Sequence, residues 1–175
     1  MVHRTSPVSN PAAIHVEFVF VGAPGLDAIT ASSDPNWLSA VAQFEAEWAT
    51  AGLEATFDYV DFTGDVTKFA VVDISDDDTS EFNDLLRTSA PADPNTLTFF
   101  IVEDIANSSN GSSILGLSAG PPGAATIHGT SKSGVIITSV DLATAPGDVG
   151  KIMAHEGGHF LGLAQPTHRG AVNPA

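Results

Sequence analysis

The chain has 175 residues, no cysteine and a formal net charge of −15, from 21 acidic and six basic residues. A surface this acidic repels nucleic acid and anionic membranes, so neither is an expected partner. The lack of cysteine excludes a disulfide framework, a thiolate zinc site and a cysteine nucleophile. The length suits one domain with its own core, and no stretch approaches the ~18 apolar residues that a membrane span needs.

The first third of the chain predicts a strand, a helix and a second strand. Residues 1–12 are expected to form a flexible tail; the stretch is polar and rich in Pro and Ser, and no signal peptide is visible because it lacks a continuous apolar run. Ile14–Val21 and Glu54–Phe62 have the β-branched, aromatic and alternating composition of strands. Asp34 suits the cap of a helix over Pro35–Ala51. Its expected core face consists of Trp37, Leu38, Val41, Phe44 and Trp48.

The middle of the chain predicts two more strands, a helix and a long loop. Lys68–Ile74 is predicted to be a strand, and Leu97–Val102, the most apolar run, is predicted to lie in the middle of the sheet. The acidic cluster Asp76–Asp78 lacks the glycine and final glutamate of an EF-hand loop. We therefore expect it to supply favourable charge at the start of a helix over Ser80–Ser89. Asn107–Gly129 is rich in Ser, Gly and Pro and predicts a long loop, which is typical of functional segments.

The last elements are a strand and a helix near the C-terminus. Gly134–Ser139 predicts the strand. Pro146 and Asp148 suit the first turn of a helix that follows it. Apolar positions for burial of this helix are Ile152, Met153, Phe160 and Leu161.

This helix carries the only pattern with an evident chemistry. His155 and His159 are four residues apart, so both imidazoles lie on one helix face and can bind one ion. Glu156 follows the first histidine, so its carboxylate can reach a water on that ion without being a ligand. This H-E-x-x-H arrangement provides two zinc ligands and a general base for metal-activated hydrolysis.

Three glycines belong to the same stretch. Gly157 and Gly158 each cost a helix about 1 kcal/mol relative to alanine, so a steric reason is expected for them, such as close packing under a substrate cleft. Gly162 stands three residues after His159, where a helix would end on a left-handed residue that glycine adopts most easily.

The H-E-x-x-H-x-x-G run, His155–Gly162 followed by Leu163, resembles the metzincin clan of zinc endopeptidases. The resemblance implies Zn²⁺ held by His155 and His159, with Glu156 as the catalytic base. It also implies a third histidine ligand three residues after the glycine. That position is Gln165 in this chain, and the nearest histidine is His168, three residues further on.

Three interpretations of the third ligand are open. His168, which we rank first, binds the ion as a displaced ligand. Alternatively, Gln165 binds through its carbonyl oxygen, a poor zinc donor beside imidazole or carboxylate. In the third interpretation the site is degenerate and holds zinc loosely or not at all. Because no Asp or Glu follows Glu156, a zinc peptidase clan with a downstream carboxylate ligand is excluded within this chain.

The resemblance also shapes the expected domain. Metzincins have a C-terminal subdomain with a methionine-containing turn beneath the metal, but only ten residues follow Gln165, and the only methionines are Met1 and Met153. Residues 13–175 are therefore expected to form a single metzincin-like domain that lacks this subdomain. The order of elements implies an α/β fold with helices on a twisted sheet. The resemblance implies a mixed sheet with a backing helix and a zinc-site helix.

The resemblance finally implies a function and a place of action. The expected protein is a secreted or extracellular protease, in which an edge strand of the sheet pairs with an extended peptide substrate. Gly111–His128 would form the upper rim of its cleft. His128 is expected to be a rim or structural residue, since lone histidines seldom bind metal. The alternative function is a pseudoprotease that binds peptide or a partner protein without cleaving it.

Overall fold

The computed structural model describes residues 12–74, 80–107, 112–119 and 128–162. Most of the predicted tail, the Asp76–Asp78 cluster, Gln165 and His168 lie outside these residues. The strands are β1 (Ala12–Val21), β2 (Leu53–Asp61), β3 (Val71–Asp73), β4 (Thr96–Val102), β5 (Asp104–Asn107), β6 (Ser112–Ser113), β7 (Gly116–Ser118) and β8 (Val135–Thr138). The helices are α1 (Pro35–Thr50), α2 (Val66–Phe69), α3 (Glu81–Leu86) and α4 (Pro146–Phe160).

Five strands form the main sheet, in the order β2-β1-β4-β8-β7. The first four strands in this order run parallel, and β7 is antiparallel to β8. The expected α/β fold with a mixed sheet is therefore confirmed. The central position of β4 is also confirmed, because β4 is the third of the five strands, and all seven of its residues are buried. A second, smaller sheet has the order β3-β5-β6.

Helices α1 and α4 pack together on one face of the main sheet. The core between helices and sheet is aromatic: the ring of Phe18 lies 5.0 Å from that of Trp37 and 5.5 Å from that of Phe99. The Asp34 carboxylate accepts a hydrogen bond from the Trp37 backbone N–H at 2.7 Å, which confirms the predicted cap. Gly52, with φ +76°, lies between α1 and β2. Helix α1 therefore begins and ends where its local sequence predicts.

The opposite face of the sheet is covered by α2, α3 and the small sheet. A second apolar cluster fills this layer, with Val19, Phe100 and Ile136 from the main sheet against Leu85 and Ile105. All five side chains are buried. The sheet thus lies between two layers, and the helix with the H-E-x-x-H sequence belongs to only one of them.

Several predicted elements differ from the structure. Lys68 and Phe69 belong to α2 and not to a strand, because the Asp65 carboxylate caps this helix by accepting from the Lys68 N–H at 3.2 Å. Leu38 is 43% exposed and not part of the core, since it lies one position away from the buried stripe of α1.

The predicted long loop also contains regular structure. Asn107–Gly129 includes β6 and β7, and β5 precedes them without having been predicted. Strands of two to four residues are too short to show an alternating pattern in the sequence. Helix α3 is shorter than predicted, and Ser80 is its cap, accepting from the Asn83 N–H at 3.2 Å.

Candidate metal centre

Helix α4 starts and ends as its sequence predicts. Pro146 occupies the first turn, and Asp148 lies in the same turn. The Asp148 carboxylate accepts a hydrogen bond from Lys151 Nζ at 2.8 Å, which raises the pKa of the Lys151 ammonium group above its usual value. After the helix, Gly162 has φ +96° and its N–H donates to the His159 carbonyl at 2.9 Å. The left-handed glycine therefore follows the end of the helix, three residues after the second histidine.

Two glycines let α4 approach its neighbours closely. A Cβ on Gly150 would collide with the carbonyl oxygen of Ala40 in α1. A Cβ on Gly157 would lie 2.7 Å from Trp48 Cζ2 and 2.9 Å from Phe99 Cζ. The steric reason expected for Gly157 is thus packing against the core, and not packing under a substrate cleft.

Helix α1 also holds α4 by a hydrogen bond. Trp48 Nε1 of α1 donates to the Ala154 carbonyl at 3.2 Å, directly before the first histidine. Met153 and Phe160 are buried, as predicted, and anchor the same helix in the core. Leu161, which we expected to be buried, is 37% exposed. The position of the histidine pair is therefore fixed by α1 and the sheet together.

The structure brings His155, Glu156 and His159 together. The Nε2 atoms of the two histidines are 3.0 Å apart, and Glu156 Oε1 lies 3.8 Å from His155 Nε2. One ligand atom from each of the three residues lies within 4.8 Å of the others. The His155 side chain is 48% exposed and that of Glu156 is 13% exposed, whereas His159 is buried. The group can therefore be reached from solvent on the His155 side.

The spacing of the histidines fits two imidazoles on one metal ion. Zinc–nitrogen bonds of about 2.0–2.1 Å in a tetrahedral arrangement place two ligand nitrogens about 3.3 Å apart. The observed Nε2–Nε2 distance of 3.0 Å is shorter by only a few tenths of an ångström. His155, Glu156 and His159 can thus hold a metal ion, and imidazole ligands also suit copper, iron and nickel besides zinc.

A main-chain group that the sequence did not reveal holds the glutamate. The Ser118 backbone N–H, at the end of β7, donates to Glu156 Oε2 at 3.0 Å. This contact requires α4 to lie close to β7. A Cβ on Gly116 would lie 2.7 Å from Ile152 Cγ2 and 3.0 Å from Glu156 Cγ. An isolated glycine in a strand often marks such a close approach. Gly116 is therefore the feature of the sequence that could have indicated this contact.

The other described histidines are bound in different places. His128 Nδ1 lies 2.9 Å from Ser89 Oγ, and His128 Nε2 lies 3.1 Å from the Pro94 carbonyl oxygen. These contacts agree with the structural role expected for His128. His15 contacts Asp58 at 3.0 Å. Gln165 and His168 lie outside the described residues, so the third ligand stays a prediction.

Of two cavities in the structure, only the smaller is lined by a residue of the histidine pair. The larger, of about 510 Å³, lies where β1, β4 and β8 end, and none of the three residues of the metal group lines it. A cavity of about 370 Å³ lies between α1 and α4 and is lined by Trp48, Lys151 and His155. The histidine pair is the candidate functional site because ligand atoms converge there, whereas the larger cavity has no such group among its lining residues.

The chain matches no protein-family model and no curated protein. Within the described residues, no helix has the length and apolar character needed to cross a membrane.

Proposed function

We propose that this protein is a zinc-dependent endopeptidase with Glu156 as its general base. The observation that carries the proposal is the 3.0 Å approach of two imidazole Nε2 atoms, with the Glu156 carboxylate 3.8 Å from the first. A hydrolytic zinc site combines nitrogen ligands with a nearby carboxylate that acts as a general base and is not itself a ligand. The resemblance of His155–Gly162 to the metzincin clan favours peptide bonds as the target.

The positions of His155, Glu156 and His159 support a separate role for each, whereas the third ligand is inferred from the sequence alone. His155 and His159 would hold the ion, with His168 as the preferred third ligand. A bound zinc ion supplies Lewis-acid activation of water and of the peptide carbonyl. Glu156 takes the proton from the attacking water and returns it to the nitrogen of the leaving amine. Because Oε1 faces the histidine pair, this oxygen is the one that handles the proton.

The edge strand β7 supports a peptide as the substrate. The Thr138 N–H of β8 donates to the Leu115 carbonyl oxygen, and the Ala119 N–H donates to the carbonyl oxygen of Gly134, directly before β8. In an antiparallel ladder the residues between such pairs direct their N–H and C=O groups away from the neighbouring strand. Gly116 and Ser118 therefore present main-chain groups at the free edge that β7 has among the described residues, and an extended peptide could add a strand there.

The experiment that tests the proposal combines metal content with proteolysis. Untagged protein is dialysed against trace-metal-free buffer, and zinc per chain is measured by plasma mass spectrometry. Cleavage of unfolded casein is then followed with and without a chelator, and zinc is added back. About one zinc per chain together with chelator-sensitive cleavage is the expected result. Zinc-loaded protein that cleaves neither casein nor a peptide library would overturn the proposal.

The alternative is a pseudoprotease that binds peptide or a partner protein. Gln165 favours it, because glutamine stands where the metzincin pattern requires the third histidine. The edge strand β7 could pair with a peptide without any metal. Peptide binding by metal-free protein, with no cleavage in the presence of zinc, would distinguish this function from the enzyme.

A further inference from the structure

We propose that Ser118 is a positioning residue for Glu156, acting through its backbone N–H and not through its side chain. This inference rests on the proposed function, since it assigns a role to Ser118 in the proton transfer by Glu156. Its basis is the hydrogen bond from the Ser118 N–H to Glu156 Oε2 at 3.0 Å.

The two oxygens of the Glu156 carboxylate face different partners. Oε2 is held by the edge strand, whereas Oε1 lies 3.8 Å from His155 Nε2. A carboxylate on a flexible side chain can rotate, so a donor on one oxygen determines where the other points. Charge-assisted hydrogen bonds of this kind are among the stronger ones in proteins. The Ser118 N–H thus directs Oε1 towards the place where a water would be activated.

The fold makes this contact possible in two ways. The antiparallel ladder with β8 leaves the Ser118 N–H pointing out of the sheet, so its donation to Glu156 costs no strand pairing. Gly116 lets α4 approach, since a Cβ at this position would press on both Ile152 and Glu156. The side chain of Glu156 is only 13% exposed as a result, which limits competition from water for the same N–H.

The contact also limits how a peptide can bind to β7. The Ser118 N–H is occupied, so within the part of the chain that the structure describes the N–H and C=O of Gly116 and the C=O of Ser118 are the outward groups left for pairing. A substrate peptide that took the Ser118 N–H would release Glu156 from its position. We therefore expect productive peptides to pair with β7 without using this N–H.

The test compares two substitutions at one position. Ser118→Pro removes the N–H, and proline is tolerated in an edge strand where the N–H faces outward. Ser118→Ala is the matched control, because it removes the hydroxyl and keeps the N–H. In the proline variant we expect kcat to fall tenfold or more, as is typical for loss of a hydrogen bond to a charged group. KM and zinc content should stay close to those of the alanine variant. The thermal midpoint should fall by a few degrees, because the Glu156 carboxylate loses its donor, while the protein stays folded at the assay temperature.

Three results would overturn the inference. An unchanged kcat in the proline variant would mean that the N–H does not position the base. A raised KM with an unchanged kcat would mean that the N–H binds substrate. A lower thermal midpoint that accounts for the lost activity would mean a structural role only.

A measurement without catalysis separates this inference from the proposed function. The Ser118 amide proton should exchange slowly with D₂O in the wild-type protein and faster in Glu156→Ala. If the zinc-loaded wild type is inactive but this difference is present, the proposed function fails and the contact stands. If the wild type is active and Glu156→Ala leaves the exchange unchanged, the contact fails and the proposed function stands.

Discussion

Gly157 lies directly against Trp48, so that a Cβ on the glycine would be 2.7 Å from Cζ2 of the indole. The glycine stands between the two histidines of the candidate metal centre, and the tryptophan belongs to α1. The residue type inside the H-E-x-x-H sequence is therefore set by helix packing on the side of α4 that faces away from the metal group. Gly157 packs against α1 and the core on one face of this helical turn, and the histidine side chains lie on the other face.

Gly157→Ala should destabilise the protein. Alanine improves helix propensity by about 1 kcal/mol, but overpacking a filled core typically costs about 1–3 kcal/mol. Here the rigid rings of Trp48 and Phe99 would both have to move. Gly147→Ala in the first turn of α4 is the matched control, since nothing lies within 4 Å of its Cβ position. Urea unfolding followed by circular dichroism measures both; equal stability of the two variants would contradict the packing argument.

Local signals in the sequence were enough for the parts of the fold that depend on near neighbours. Asp34 and Pro35 predicted the start of α1, and the spacing of His155 and His159 predicted that their imidazoles would meet. Both predictions need only helix geometry, because capping and four-residue spacing are independent of the rest of the chain. Such features can be read from one segment at a time.

Contacts between segments that are distant in the sequence could not be predicted from the sequence. The Ser118–Glu156 hydrogen bond joins residues 38 positions apart, and no pattern in either segment indicates the other. The strand β7 is only three residues long, so it carried no periodic signal within a segment rich in serine and glycine. The role of Gly116 depends on where α4 packs, which is decided by the tertiary structure.

Glu17→Gln should make the stability of the protein less sensitive to rising pH. Burial, followed by the nearby Asp58 carboxylate, raises the pKa of Glu17 above its usual value. A carboxyl group whose folded-state pKa is raised contributes stability below its unfolded-state pKa, and this contribution is lost as the pH rises through the folded-state pKa.

The free energy of unfolding should therefore be similar in the two proteins near pH 4 and higher in Glu17→Gln at pH 7. Urea titrations at both pH values measure this difference. Curves of stability against pH that run parallel for the two proteins would contradict the shift at Glu17.

His155→Ala should weaken zinc binding with little change in the stability of the metal-free protein. The side chain is 48% exposed, so its removal leaves no core cavity. Mutation of a residue that hydrogen-bonds to a metal ligand typically lowers metal affinity by about 10- to 100-fold, and loss of the ligand itself should lower it at least as much. Zinc at 100 times its Kd would stabilise the wild type by about 2.7 kcal/mol, and at the same zinc concentration the variant should lose about half of this gain or more.

His15→Ala is the control, because this histidine contacts Asp58 and does not belong to the metal group. Competition with a chromophoric chelator gives the affinity, and thermal unfolding gives the stabilisation. If the two histidine variants bind zinc equally well, the metal does not bind where we place it.

Glu156→Gln should keep the metal and lose proteolysis. Glutamine has the shape of glutamate, and its side-chain oxygen can still accept from the Ser118 N–H, so the helix and both histidines should stay in place. The amide cannot take up a proton at neutral pH, which removes the general base. Loss of a general base typically lowers the rate by about 10²- to 10⁴-fold.

Glu47→Gln is a matched control, because it removes the same charge beside the cavity that His155 lines. Zinc content and cleavage of a quenched fluorescent peptide are measured for both variants. If Glu156→Gln cleaves as fast as Glu47→Gln, then Glu156 is not the base, and the hydrolytic role of the H-E-x-x-H sequence would have to be abandoned.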